Sequence, residues 1–203
     1  MKEVKKILDD PIKATLFGKF YERIVLKWFE QKKGFVSFKG KPRIYWQQVK
    51  PAKGDGDGIK KINKVLKEYK KENQYCTPDG FLQKSGKVYI WEAKNWPLWT
   101  QGMKPLDQIS ELLYSMPLIL SAKADFRGVD YKVDGILFSW WVKPDGIDVL
   151  LKGINKIIAP RTFEMFYTAE VLVDCIANKY PWYSEIIKEE KEKIDEFGVT
   201  PID

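Results

Sequence analysis

The sequence predicts an α/β fold in which helices flank a mixed central β-sheet. Its 203 residues, of which 44% are hydrophobic and 31% charged, suffice for one domain with a substantial core. Segments with helical and β-like character follow in the order helix, strand, hairpin, helix, strand, helices. Residues 134–142 are almost continuously apolar, which is typical of a strand covered on both faces.

The first predicted element is an amphipathic helix over residues 13–33, because apolar residues recur there at largely helical spacing. Gly34 follows as a helix stop. Two β-like runs come next, at residues 35–38 and 43–49, and they are punctuated by a glycine and a proline.

A basic insertion is predicted after these strands. Residues 51–74 start with the flexible stretch PAKGDGDG and continue as a lysine-rich helix over residues 59–71. Residues 75–95 then contain two β-rich runs on either side of Ser85-Gly86. This pair is a hairpin signal, because glycine accepts the positive φ that tight turns require.

The later elements are mostly predicted to be helical. We expect a helix over residues 105–123 with a kink at Pro117, and, after the apolar strand, helices over residues 162–178 and 181–197. The predicted organisation is therefore a core with its basic insertion, followed by a C-terminal helical extension packed on the same domain, with boundaries at 1–143 and 144–203.

No histidine occurs in the chain, and this excludes several catalytic classes. Ser-His-Asp and Cys-His nucleophilic sites, histidine-based nucleases and phosphohydrolases, and Cys₂His₂ or His₃ zinc sites all need an imidazole. Cys76 and Cys175 have neither metal-site nor redox spacing, and we expect them to be small buried hydrophobes. Any catalysis must use carboxylates, lysine, hydroxyls or metal-bound water.

Positive charge is concentrated in the N-terminal third. Residues 1–74 contain 20 Lys and Arg against 9 Asp and Glu, whereas residues 75–203 contain 15 Lys and Arg against 19 Asp and Glu. The net charge of the whole chain is +7. This favours an anionic partner, nucleic acid first and a membrane surface second, with a solvated lysine-rich face as the alternative. Because no apolar run could span a bilayer and no secretory signal is evident, we expect a cytoplasmic protein without a membrane partner.

Two carboxylates and a lysine are predicted to converge at the open end of the hairpin. If the hairpin turns at Ser85-Gly86, Asp79 lies across from Glu92, and Lys94 follows on the same face. Two such oxygen ligands can hold Mg²⁺ and leave positions for water and a phosphate oxygen. A neighbouring lysine can orient or deprotonate that water and offset charge in the transition state. A cross-strand ion pair on a solvated sheet face is the alternative.

The pattern resembles the PD-(D/E)XK nuclease superfamily, which carries its two motif segments on adjacent antiparallel strands. Here Pro78-Asp79 is followed by Glu92-Ala93-Lys94. The first predicted helix carries Glu22 in the segment GKFYER, and GFV follows it, as in archaeal Holliday-junction resolvases and, less closely, Mrr-type restriction enzymes. The resemblance covers about residues 15–142 and implies a restriction-endonuclease-like αβββαβ core.

The resemblance also implies roles for these residues. Asp79 and Glu92 would be the principal ligands of Mg²⁺, for which Mn²⁺ would substitute. Glu22 would assist in metal binding, and the backbone carbonyl of Ala93 would also reach the metal. Lys94 would be the catalytic lysine.

Further candidates lie outside this motif. Gln108 falls where some nuclease subfamilies carry a glutamine near the active site, and an ordinary helix-surface amide is the alternative. Trp96 can stack on splayed bases or pack in the core. The lysines of the insertion would contact DNA phosphates if the insertion flanks the cleft; these are Lys60, Lys61, Lys64 and Lys67.

The sequence thus predicts a metal-dependent DNA endonuclease. Junction-resolving cleavage is one specificity that the resemblance suggests, although the resolvases lack the segments 51–74 and 144–203. A homodimer is expected, because related nucleases cut two strands with two sites. The alternative is a DNA-binding or interaction module that keeps the fold without turnover, and the intact motif argues against it.

Overall fold

The computed structural model describes residues 11–72, 74–94 and 118–196. Its first part contains α1 (Pro11–Lys33), β1 (Val36–Phe38), β2 (Ile44–Tyr45), a 3₁₀ turn (Trp46–Gln48), α2 (Asp57–Glu72), β3 (Tyr75–Cys76), β4 (Gly80–Lys84) and β5 (Lys87–Lys94). Its second part contains β6 (Lys123–Phe126), β7 (Val129–Lys132), β8 (Gly135–Trp140), α3 (Ile147–Ile158), β9 (Thr162–Tyr167), α4 (Thr168–Asn178) and α5 (Pro181–Glu196).

A central sheet contains five of the described strands, in the order β1-β4-β5-β8-β9. Strand β4 is antiparallel to both β1 and β5, whereas β8 is parallel to β5 and β9 is parallel to β8. The sheet is therefore mixed, and the predicted α/β class is confirmed. Two smaller antiparallel pairs, β2 with β3 and β6 with β7, lie beside it.

Helices cover both faces of the sheet. In β5, Ile90 points into a core that includes side chains of α2 and α3, whereas Trp91 points into a core formed with α1, α4 and α5. Every residue of β8 is buried, so the strand predicted over residues 134–142 to be covered on both faces is confirmed for Gly135–Trp140. The first helix also ends as predicted, since Gly34 follows it with a φ of 70°.

Two predicted boundaries are wrong. The strand predicted over 43–49 is limited to β2, which pairs with β3 outside the central sheet and leads into the 3₁₀ turn. The helix predicted over 105–123 does not extend to its expected end, because Lys123–Phe126 is β6. There, exposed and buried side chains alternate, which suits a strand rather than a helix. Residues 105–117 of that prediction lie outside the described residues.

The C-terminal region is not wholly helical, which corrects the helical extension predicted for 144–203. The first six residues of the helix predicted over 162–178 form β9, an edge strand of the central sheet. Exposed and buried side chains alternate at the start of β9, and pairing with β8 satisfies its backbone there. This region therefore completes the sheet as well as adding helices.

Both cysteines are free; Cys175 is buried, as expected, whereas Cys76 is only partly buried. Among the helices of residues 11–72, 74–94 and 118–196, none combines the length and apolar character needed to cross a membrane.

Candidate functional site

The β4–β5 hairpin has the register predicted from the sequence. Ser85-Gly86 forms the turn, with φ values of 51° and 75°. Gly80 pairs with Trp91 at the other end of the hairpin. Asp79, the residue before β4, therefore lies across from Glu92 near the end of β5.

The carboxylates of Asp79 and Glu92 each accept a backbone hydrogen bond from the opposite side of the hairpin. The backbone N–H of Asp79 donates to Oε2 of Glu92 at 3.1 Å, and the backbone N–H of Ala93 donates to Oδ2 of Asp79 at 3.0 Å. The Lys94 ammonium donates to Oε1 of Glu92. These contacts hold two carboxylates and a lysine together at one end of the sheet.

The residues on either side of Asp79 determine its position. Pro78 is buried, and its ring fixes the backbone φ on the approach to the strand. Gly80 lies against the ring of Trp91, where an added Cβ would be only 2.8 Å from Cε3. Because a larger residue would not fit, glycine allows β4 to approach β5 closely enough for Asp79 to reach Ala93.

A second lysine, which the sequence reasoning missed, also contacts the cluster. Lys41 Nζ donates to Oδ1 of Asp79 at 2.7 Å. Its loop follows β1, and the pairing of Phe38 with Phe81 carries the chain past Asp79. The sequence shows this loop only as a turn rich in glycine, proline and lysine, because its neighbour is set by strand pairing over a distance of 38 residues.

Glu22, on α1, is the third carboxylate of the cluster. Burial is the largest cause that raises the pKa of Glu22. The charges of Asp79 and Glu92 raise this pKa further, while those of Lys41 and Lys94 lower it. Glu22 thus lies within electrostatic range of the two other acids and of the lysines Lys41 and Lys94. The structure brings together the three acids and the lysine that the sequence singled out.

Glu92 is the more buried of the two paired carboxylates, with 12% of its side chain exposed. Burial and then the charge of Asp79 raise its pKa, and the hydrogen bond and charge of Lys94 only partly oppose this. Burial and the charge of Glu92 also raise the pKa of the Cys76 thiol to about 12. The fold therefore holds negative charges close together where water is partly excluded, an arrangement that favours a bound cation.

The chemistry of the donor set suits a hard divalent cation. Each of the four oxygen atoms of Asp79 and Glu92 accepts one hydrogen bond from the protein and keeps a second lone pair. In this arrangement, the described residues contain no group of three Asp, Glu, Cys or His side chains close enough to hold a metal ion. Lys41 and Lys94 pair with the carboxylates, so a bound cation would share these oxygen atoms with the two ammonium groups.

The remaining predicted site residues are Trp96, Gln108 and the lysines of the insertion. Trp96 and Gln108 lie outside the described residues. The lysines of the insertion are exposed on α2, and their contact with DNA stays a prediction; they are Lys60, Lys61, Lys64 and Lys67. Lys60 lies 3.7 Å from Asp57 in a local ion pair.

A scan of family models, a search of curated proteins and a search of solved structures found no match to this chain. The chemistry of the site is therefore inferred from its own residues.

Proposed function

We propose that this chain is a metal-dependent DNA nuclease that hydrolyses phosphodiester bonds at the site formed by Asp79, Glu92 and Lys94. The observation that carries the proposal is that the carboxylates of Asp79 and Glu92 each accept a backbone hydrogen bond from across the hairpin, with Lys94 paired to Glu92. The order of α1, the three antiparallel strands and the parallel strand β8 supports the resemblance to the PD-(D/E)XK superfamily.

Asp79 and Glu92 would hold Mg²⁺ or Mn²⁺, with Glu22 assisting and the Ala93 carbonyl as a further ligand. When bound, such an ion polarises the phosphate and lowers the pKa of water. Lys94 lies beside Glu92, where its ammonium group can orient the attacking water and offset the negative charge that develops on the phosphate.

The basic N-terminal third would bind the DNA backbone. Its charge supplies the sequence-independent attraction on which nucleases of broad specificity depend. We also propose a homodimer that cuts two strands. Val173 and Ile176 are 66% and 61% exposed on α4 and lie three residues apart, so they provide an apolar surface for such an interface. Sedimentation of the chain alone and with DNA tests this assembly.

The cleavage test uses supercoiled plasmid, linear duplex, single strand and a four-way junction, each with Mg²⁺, Mn²⁺ or EDTA. We expect metal-dependent cleavage that is lost in Asp79→Ala and Lys94→Ala. Asp148→Ala is the control, because Asp148 forms an exposed ion pair of 2.7 Å with Lys143 and should keep full activity.

Undiminished cleavage by Asp79→Ala would refute the site. Metal-independent cleavage would refute the proposed chemistry. Binding of DNA without cutting under any metal would instead favour the non-catalytic module.

A further inference from the structure

We infer that Lys41 is a second lysine of the site and that it binds a phosphate of the DNA strand. This rests on the nuclease function proposed above. It assigns a role in binding the substrate to a residue outside the motif and outside the basic insertion.

The position of Lys41 is the first argument. Its ammonium group contacts Oδ1 of Asp79 at 2.7 Å, yet half of its side chain is exposed, whereas Asp79 is only 14% exposed. Lys41 therefore covers the solvent side of a carboxylate, where a strand of DNA must approach to reach Asp79 and Glu92. Lysine is a compact charge on a flexible stem, so its ammonium group can move from the carboxylate to a phosphate oxygen by side-chain rotation alone.

The loop that carries Lys41 is held in place, which is the second argument. Arg43 and Asp125 exchange two backbone hydrogen bonds, of 2.8 and 2.9 Å, between this loop and β6. The guanidinium group of Arg127, at the β6–β7 turn, donates to the carbonyl of Lys39 at 2.8 Å. The two attachments lie on either side of Lys41 in the sequence. A fixed backbone with a mobile side chain suits a residue that positions a ligand.

The charge of the surrounding surface is the third argument. Lys39, Arg43 and Arg127 are exposed, like Lys41. The two guanidinium groups lie over aromatic rings, Arg43 at 5.4 Å from the centre of Tyr75 and Arg127 at 5.3 Å from that of Phe126. These four cations lie on the loop that carries Lys41 or on the turn attached to it, so they add positive charge beside Lys41, as a DNA backbone entering the site would require.

The alternative role for Lys41 is to neutralise Asp79 without touching DNA, and salt dependence separates the two. Duplex binding is measured by fluorescence anisotropy in EDTA, which prevents metal-dependent cleavage, over about 50 to 200 mM monovalent salt. Each phosphate contact contributes about 0.9 to the slope of log affinity against log salt. We expect Lys41→Ala to lower the slope by this amount, so that wild type loses about 3.5-fold more affinity than the variant across the range.

Two further variants serve as controls. Lys41→Arg keeps the charge and should keep most of the slope. Lys193 pairs with Glu190 at 2.7 Å and is 51% exposed, matching Lys41 in distance and exposure, but it lies on α5. Lys193→Ala should therefore bind DNA like wild type, and circular dichroism of each variant verifies folding.

A folded Lys41→Ala with an unchanged slope would overturn this inference. If wild type still cleaves DNA in a metal-dependent manner, the proposed function survives that result. Absence of DNA binding by wild type at every salt concentration would overturn both.

Discussion

Replacing Gly80 with alanine should destabilise the fold and impair the site together. The new Cβ would lie 2.8 Å from Cε3 of Trp91, where ordinary contact begins at 3.4 Å, so the two strands must separate by about 0.6 Å. Trp91 has little freedom to yield, because it is 1% exposed and packs edge-to-face against Phe29. The strain must therefore fall on the backbone next to Asp79.

The expected cost follows from this geometry. Overpacking of a core contact costs about 1–3 kcal/mol. A shift of about 0.6 Å would stretch the bonds of 3.1 and 3.0 Å that join Asp79 to Glu92 and Ala93 beyond hydrogen-bonding range, at about 1 kcal/mol each. The substitution also lowers the conformational entropy of the unfolded chain, which stabilises the protein by roughly 0.4–1 kcal/mol. The net destabilisation of Gly80→Ala should be about 2–5 kcal/mol.

The free energy of unfolding is measured with urea, and Tm should fall by about 2–4 °C per kcal/mol for a chain of this size. Cleavage should fall by roughly tenfold to a hundredfold, because the carboxylates are misplaced by a fraction of an ångström. Gly153→Ala is the matched control. Its Cβ would meet no atom within 4 Å on the exposed side of α3, so it should stabilise the protein by up to about 1 kcal/mol.

A double-mutant cycle tests the cause. In a Trp91→Leu background the ring is absent, and Gly80→Ala should then cost much less than it does in wild type. If Gly80→Ala proves as stable and active as wild type, or if its cost is the same in the Trp91→Leu background, the close approach of β4 and β5 does not position Asp79.

Two further predictions concern stability, and urea unfolding measures both. Asp174 accepts hydrogen bonds from the indole N–H of Trp28 at 2.8 Å and the hydroxyl of Tyr180 at 3.3 Å, so Asp174→Ala should cost about 2–3 kcal/mol by loosening α1 from α4. Asp148→Ala should change stability by less than about 1 kcal/mol, and equal costs for the two would contradict this account. Because the pKa of Glu92 is raised above its ordinary 4.5, the folded state holds that proton more tightly, and wild-type stability should fall as pH rises from about 4.5 through the folded-state pKa. Glu92→Gln should show a smaller fall and greater stability at pH 7; an identical pH profile would count against the raised pKa.

The hairpin at the centre of the site could be predicted because its determinants are local. A turn at Ser85-Gly86 and a period of two side chains are enough to place Asp79 opposite Glu92. The position of Lys41 could not be predicted in this way. It depends on the pairing of β1 with β4 and on the attachment of its loop to the β6–β7 hairpin, which the sequence reasoning did not identify.

The strand β9 shows a different limit of sequence reasoning. Apolar residues are so frequent in residues 162–178 that a helical spacing can be found across the whole segment, although its first six residues form a strand. The alternation of polar Thr162, apolar Phe163 and polar Glu164 was the available signal, and these side chains are exposed, buried and exposed in the structure. Tertiary pairing with β8 decides the outcome, since a parallel edge strand gains its hydrogen bonds from a neighbour that is distant in sequence.

The charges of the site argue that this end of the sheet is built for binding rather than for stability. Three acids, Glu22, Asp79 and Glu92, share it with two lysines, Lys41 and Lys94. Burial and mutual repulsion raise the pKa of Glu22 and Glu92, so holding them ionised at neutral pH costs free energy that a core of apolar residues would not. Local rules of stability are most often broken at functional sites. A bound cation would offset the repulsion among the acids, so the feature that costs stability is the one that the proposed hydrolysis requires.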